Sequence, residues 1–288
     1  MKQWKLAAAC LAAVGLAACS VADAQPAANP APASSKPATQ VASPPATTSK
    51  PPTKAPSSTK ASASKSPSKK PPAPRQPVVQ PPLGTQVDCK AVACVALTFD
   101  DGPGAKTPVL LKTLTAANAP ATFFMMGNSV SIHQDTVRAI AATPGMEIAN
   151  HTVSHPLLPG MSRSRIDWQI GTNESRLEAL VGRPITLFRP PYGGQNASVR
   201  SSAAAHGEAI ILWSVDTLDW KYRNTSRVAN VAVGQARPGA IILMHDIHAT
   251  TVAAVPDIIK RLNAKGYTLV TVTTLLGSTV PGKVYTGR

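Results

Sequence analysis

From about Val87 onward, short apolar runs rich in β-branched residues alternate with longer stretches whose apolar positions recur every three or four residues. The runs Cys94 to Phe99, Ala121 to Met125, Met146 to Ala149, Thr186 to Phe188, Ala209 to Val215, Ala240 to Met244 and Tyr267 to Val272 read as strands. Between them Val109 to Ala117, Thr136 to Ala142, Ser164 to Val181, Ala197 to Ala205, Ser226 to Ala236 and Val252 to Lys265 have helical spacing. Strands separated by helices imply a parallel sheet with right-handed crossovers. Roughly 200 residues can bury one sizeable core but are few for the usual eight-stranded barrel. The expected fold is therefore α/β, a distorted seven-stranded (β/α) barrel over 83–288, with an open doubly wound sheet as runner-up.

The pattern stops upstream of that region. Two lysines precede a short apolar run, Leu6 to Ala18, followed by small residues, which is the anatomy of a secretory signal over 1–24. The run ends Leu16-Ala17-Ala18-Cys19, which resembles a bacterial lipobox with Cys19 as the lipid-bearing residue. Cleavage after Ala22-Asp23-Ala24 is the competing expectation and would release a soluble protein. Residues 25–82 hold 16 of the chain's 28 prolines and neither an aromatic nor an acidic residue. Such a segment has too little apolar surface to offset its ordering entropy, so a mobile tether is expected.

Charge follows the same division. Residues 1–82 hold ten of the 29 Lys and Arg and one of the 14 Asp and Glu, leaving 19 and 13 for the remainder. A basic tether suits an anionic envelope polymer, or serves only to keep the tether solvated. Nucleic-acid binding is not expected, because the basic excess is not interleaved with aromatic residues on a folded surface. Cys89 and Cys94, with four residues between them, read as a local disulfide in an exported protein; a zinc pair is the alternative. No glycine-rich dinucleotide or phosphate-loop motif is present, so a nucleotide cofactor is not expected.

Five polar clusters follow the apolar runs, at the strand ends where β/α folds build their sites. Asp100 and Asp101 repel one another unless a cation or a proton lies between them, although an Asp-Gly-Pro turn would also place them there. His151 and His155, four apart, can face one cation, and a carboxylate completes a two-His, one-Asp set open to zinc, cobalt, manganese or iron. Arg189 in Arg-Pro-Pro-Tyr-Gly lies on a stiff segment able to aim a guanidinium at a carboxylate. Tyr192 there could turn a backbone N–H toward developing charge. Asp216 and Trp220 could respectively fix a histidine tautomer and wall a sugar ring, or merely cap and pack. His245, closing Ile241-Ile242-Leu243, is the histidine in question. His133, His206 and His248 read as structural or surface residues.

In this order the five clusters resemble those of the polysaccharide deacetylase family, also called carbohydrate esterase family 4 or the NodB homology domain, across roughly Val92 to Leu276. The resemblance implies metal-dependent hydrolysis of acetyl groups on a polysaccharide. It implies Asp101, His151 and His155 as ligands of one divalent metal, usually zinc, with cobalt or manganese as alternatives. It further implies Asp100 as base with Arg189 orienting it, the Tyr192 N–H at the oxyanion, Leu243 against the acetyl methyl and His245 as acid. Between Asp216 and Asp219 as partner of His245, Asp216 is favoured because it lies nearer the strand end. The expected protein is a monomeric N-deacetylase of peptidoglycan or a related envelope glycan. A secreted acetylxylan esterase or chitin deacetylase is the alternative, and a non-catalytic sugar-binding domain a third reading.

Overall fold

The computed structural model describes residues 75–288, so the expected signal segment, Cys19 and most of the expected tether lie outside the described residues. The strands are β1 (Cys94–Asp100), β2 (Ala121–Met125), β3 (Met146–Asn150), β4 (Leu187–Phe188), β5 (Ala209–Ile211), β6 (Val215–Asp216), β7 (Ala240–His245), β8 (Thr268–Val270) and β9 (Val284–Tyr285). They form one parallel sheet in the order β6-β7-β1-β2-β3-β4-β5-β9. β1 lies beside β7 along its length; on its other side β8 pairs with Cys94 to Ala96 and β2 with Thr98 to Asp100. A bridge from Gly287 to Ala240 brings the C-terminal segment from β9 back to β7 and helps close the curved sheet. This is the distorted (β/α) barrel.

β1 shows why the sequence adopts this form. All seven of its residues are buried, as a central parallel strand covered on both faces requires. Their alternation then separates two environments. Val95, Leu97 and Phe99 join the layer that contains Leu110, Leu114 and Ile258 of the surrounding helices, whereas Cys94 and Ala96 join the interior with Phe124, Ala149 and Ile241. Helix Arg163–Val181 begins at a Ser162 cap and stops at Gly182, whose φ of 68° suits a left-handed C-cap. Thr225–Gly234 and Ala197–Ala205 start at Asn224 and Asn196 caps.

Nine strands are present among the described residues where seven were expected. The run Ala209 to Val215 is interrupted after Ile211, because the carbonyls of Ile211 and Leu212 accept from the Arg189 side chain. β9 is two residues long and carries no readable period. The short helices Gly127–Ile132, Asp219–Tyr222 and Val272–Leu276 were also not foreseen. At the other boundary the chain engages the barrel before residue 83. Gln80 is 5% exposed, and its amide donates to Asn263 Oδ1 at 2.7 Å and the Tyr267 carbonyl at 2.9 Å. Its Oε1 accepts from the Leu269 N–H at 2.8 Å. Cys89 is joined by a disulfide to Cys94, the first residue of β1.

Candidate active site

Sheet register gathers the clusters. Asp100 is the direct neighbour of His245 on β7 and of Phe124 on β2; Met125 neighbours Asn150, and Asn150 neighbours Phe188. Asp216 neighbours Leu243. The residues that follow these positions, Asp101, His151 and Arg189, therefore emerge at one end of the barrel. Asp101, Thr152, His155, Tyr192 and Leu218 have φ between 53° and 71°, a left-handed backbone that ordinary side chains avoid. Such strain persists only where surrounding contacts impose it, and here it turns four clusters toward one cleft.

That cleft, of about 390 Å³, is lined by Asp100, Asp101, His151, His155, Pro190, Tyr192, Trp213, Asp216, Trp220, Leu243 and His245. Asp101 Oδ1 lies 3.5 Å from Nε2 of both His151 and His155. Two donors about 2.0–2.1 Å from one zinc at tetrahedral angles stand roughly 3.4 Å apart, so the spacing fits a shared cation. Asp101 Oδ1 is also buried without a hydrogen-bond partner, and the Nδ1 of His151 meets the Arg189 carbonyl at 2.6 Å. Donation from Nδ1 leaves the Nε2 lone pair for a ligand. Burial alone would raise the Asp101 pKa, but the neighbouring His151, His245 and His155 hold it well below the usual carboxylate range.

Arg189 fills the barrel interior beneath this trio. Fully buried, it donates through Nη1 to Asp100 Oδ1 at 2.6 Å and Thr98 Oγ1 at 2.9 Å. Its other donors reach the Ile211 and Leu212 carbonyls, and its guanidinium lies 3.9 Å from the Phe124 ring centre. Burial lowers the Arg189 pKa while Asp100 opposes that fall.

The expected partner of His245 is corrected by the geometry. Asp219, not Asp216, meets His245 Nδ1 at 2.8 Å, and its second oxygen accepts from the His245 N–H at 2.8 Å and Thr251 Oγ1 at 2.6 Å. Asp216 Oδ1 instead accepts from the Leu218 N–H at 2.8 Å while its side chain lines the cleft. Nearness to the strand end misled because the left-handed turn at Leu218 brings Asp219 back under β7. Burial would lower the His245 pKa, but Asp219 outweighs it and raises the pKa to about 9.

A family profile described as polysaccharide deacetylase matches residues 88–211. The peptidoglycan-N-acetylglucosamine deacetylase PgdA of Listeria monocytogenes is 40% identical over 193 residues, 66% of this chain and 41% of that protein. The peptidoglycan-N-acetylmuramic acid deacetylase PdaC of Bacillus subtilis is 39% identical over 203 residues, 70% of this chain and 42% of that protein. The solved structure of the T48 deacetylase with substrate is 38% identical, with a TM-score of 0.66 over 69% of this chain and 99% of that one. The chain belongs to the polysaccharide deacetylase family. It spans less than half the length of the two named curated relatives.

Several supports of this deacetylase-family site were not singled out in the sequence. Trp213 lines the cleft and stands 5.7 Å from the Arg189 guanidinium. Gln169 accepts from the Val153 and Ser154 N–H groups, bracing the loop between the two histidines. Asn150 accepts from the Thr152 N–H and from Asn173. Asn150, immediately before His151, was the one readable signal; Gln169 lies inside a helix with no local mark.

Proposed function

We propose that this protein is a metal-dependent N-deacetylase of peptidoglycan. Asp100 and His245, side by side on β1 and β7 and flanking the Asp101–His151–His155 group, carry this reading. The donor set suits zinc, with cobalt or manganese as alternatives. A divalent cation there supplies Lewis acidity toward the acetyl carbonyl and lowers the pKa of a water.

The remaining work belongs to the chain. Asp100, oriented by its hydrogen bond from Arg189, takes the proton from the attacking water. As the water oxygen bonds to the acetyl carbon, the Tyr192 N–H faces the charge developing on the carbonyl oxygen. Leu243 packs against the acetyl methyl, and Trp220 supplies a wall for the sugar ring. His245, positively charged at neutral pH and oriented by Asp219, delivers a proton to the nitrogen as the C–N bond breaks. Acetate and a free sugar amine result.

The substrate class rests on the named relatives, whose wall deacetylases are similar to this chain over two thirds of its length. A lipid anchor at Cys19 and a tether through the following segment would hold a monomeric domain against its own cell envelope. No helix among the described residues is long and apolar enough to cross a membrane.

The test is acetate release by the purified protein, zinc-loaded or chelated, from peptidoglycan, chitooligosaccharide and acetylated xylan in parallel. Chelator-sensitive release from peptidoglycan is expected. Release confined to xylan or chitin would replace the wall substrate with a foreign polymer, and release from none would overturn the enzymatic reading.

A further inference from the structure

Trp220 lines the cleft, and the residues that follow it in the chain, 221–227, carry three cations and no carboxylate. Lys221, Arg223 and Arg227 are all exposed, and none forms an ion pair with the described residues. Arg223 and Arg227 are nevertheless held in place. Arg223, at a left-handed φ of 46°, donates through Nε to the Trp220 carbonyl and through Nη1 to His248 Nδ1, both at 2.8 Å. The Arg227 guanidinium lies 3.8 Å from the Tyr222 ring centre.

A basic face that served solvation alone would leave such long side chains free, whereas fixing them costs rotamer freedom and, at Arg223, backbone strain. The two carboxylates at the near end of the segment are already engaged, Asp219 with His245 and Thr251, and Asp216 with the Leu218 N–H. The cations are also close to the chemistry. His248, which accepts from Arg223, has its ring centre 5.8 Å from that of His245.

We propose that Arg223, flanked by Lys221 and Arg227, receives a carboxylate carried by the glycan beside the acetamido group being hydrolysed. This deepens the deacetylase reading above and rests on it. In a muramic acid unit the 3-O-lactyl ether stands on the ring carbon adjacent to the one bearing the acetamido nitrogen. Its carboxyl, or the peptide that extends it, therefore lies near whatever group protonates that nitrogen. With His245 at the nitrogen, His248 packs beside it and Arg223 bonds to His248. A fixed guanidinium pairs two N–H donors with a carboxylate, while a neutral chitin-type chain offers it nothing comparable.

The test compares two oligosaccharides of equal length on the full chain. One is chitotetraose; the other alternates N-acetylglucosamine and N-acetylmuramic acid with its lactyl carboxylates free. For Arg223→Gln the KM for the muramyl oligomer should rise roughly five- to tenfold with kcat nearly unchanged, while both constants for chitotetraose stay put. Arg223→Lys should recover part of the loss, and added salt should weaken the parent on the muramyl oligomer alone. Equal losses on the two oligomers, or none on the muramyl one, overturn the proposal. Should the parent release acetate from neither, the deacetylase reading falls by itself. The carboxylate contact is then judged by calorimetric binding of the muramyl oligomer, where equal affinity of parent and Arg223→Gln overturns it.

Discussion

Asp219 grips His245 at two points, with one oxygen against the ring Nδ1 and the other accepting from the His245 main-chain N–H. The double contact fixes the ring's tautomer and its position on β7. Burial opposes the charge on His245, yet the carboxylate prevails and carries the pKa from the ordinary 6.5 to about 9. A raised pKa means that the pair's contribution to folding is complete below pH 6.5 and fades as pH rises through about 9. In the parent, kcat/KM should therefore hold through neutral pH and fall near pH 9 as the acid is lost. Asp219→Asn should move that fall toward the ordinary histidine range and flatten the loss of Tm between pH 6.5 and 9. An alkaline limb that does not move would remove Asp219 from this role.

The buried pair of Arg189 and Asp100 predicts a stability effect of a different kind. Removing the guanidinium leaves the Asp100 carboxyl without its partner at 2% exposure and strips Thr98 Oγ1 and two main-chain carbonyls of a donor. Breaking one side of such a pair costs about 3–5 kcal/mol. For a domain of this size Arg189→Met should lower Tm by about 10 °C. Arg189→Met combined with Asp100→Asn should lose less than the sum of the two single changes, because the second substitution removes the stranded carboxyl. Thermal melts of the three variants test this, and simple additivity would deny the coupling.

How much of this was legible depended on whether a residue's role was local. β1 could be read because its burial is written as a continuous apolar run, and Asp100, Asp101, His151 and His155 because they follow such runs directly. Asp219 was set aside for Asp216 because a left-handed turn at Leu218 leaves no reliable mark in a leucine. β5 and β6 were merged because their separation comes from Arg189, a side chain over twenty positions away that takes the Ile211 and Leu212 carbonyls. Gln80 looked like tether because its neighbours are prolines, and its partners Asn263, Tyr267 and Leu269 are remote in sequence.

Gln80 in turn gives a prediction at the edge of the fold. Its amide makes three hydrogen bonds from a nearly sealed position, so a truncated side chain leaves the Leu269 N–H and the Tyr267 carbonyl without their partner. Stranding buried groups of this kind costs about 1–3 kcal/mol each before relaxation. Gln80→Ala should lower Tm by several degrees and expose the chain ahead of the barrel to proteolysis, with acetate release at low temperature preserved. Unchanged Tm and unchanged cleavage would mean that the segment before residue 83 adds nothing to the folded domain.

The adjacent carboxylates Asp100 and Asp101 differ in partner rather than in chemistry, and that difference predicts opposite phenotypes. Asp101 Oδ1 faces two imidazole nitrogens at 3.5 Å and has no donor, whereas Asp100 is tied to Arg189 and lies 3.8 Å from His151 Nε2. Asp101 therefore has the surroundings of a ligand, and Asp100 those of a base oriented beside it by Arg189. Asp100→Asn should retain zinc by elemental analysis while losing about 10²–10⁴-fold in kcat, the usual contribution of a positioned base. Asp101→Asn and His151→Ala should lose the metal itself, and activity with it. Were Asp100→Asn to release zinc, or to keep both zinc and turnover, the separation of roles between these two neighbours would be wrong.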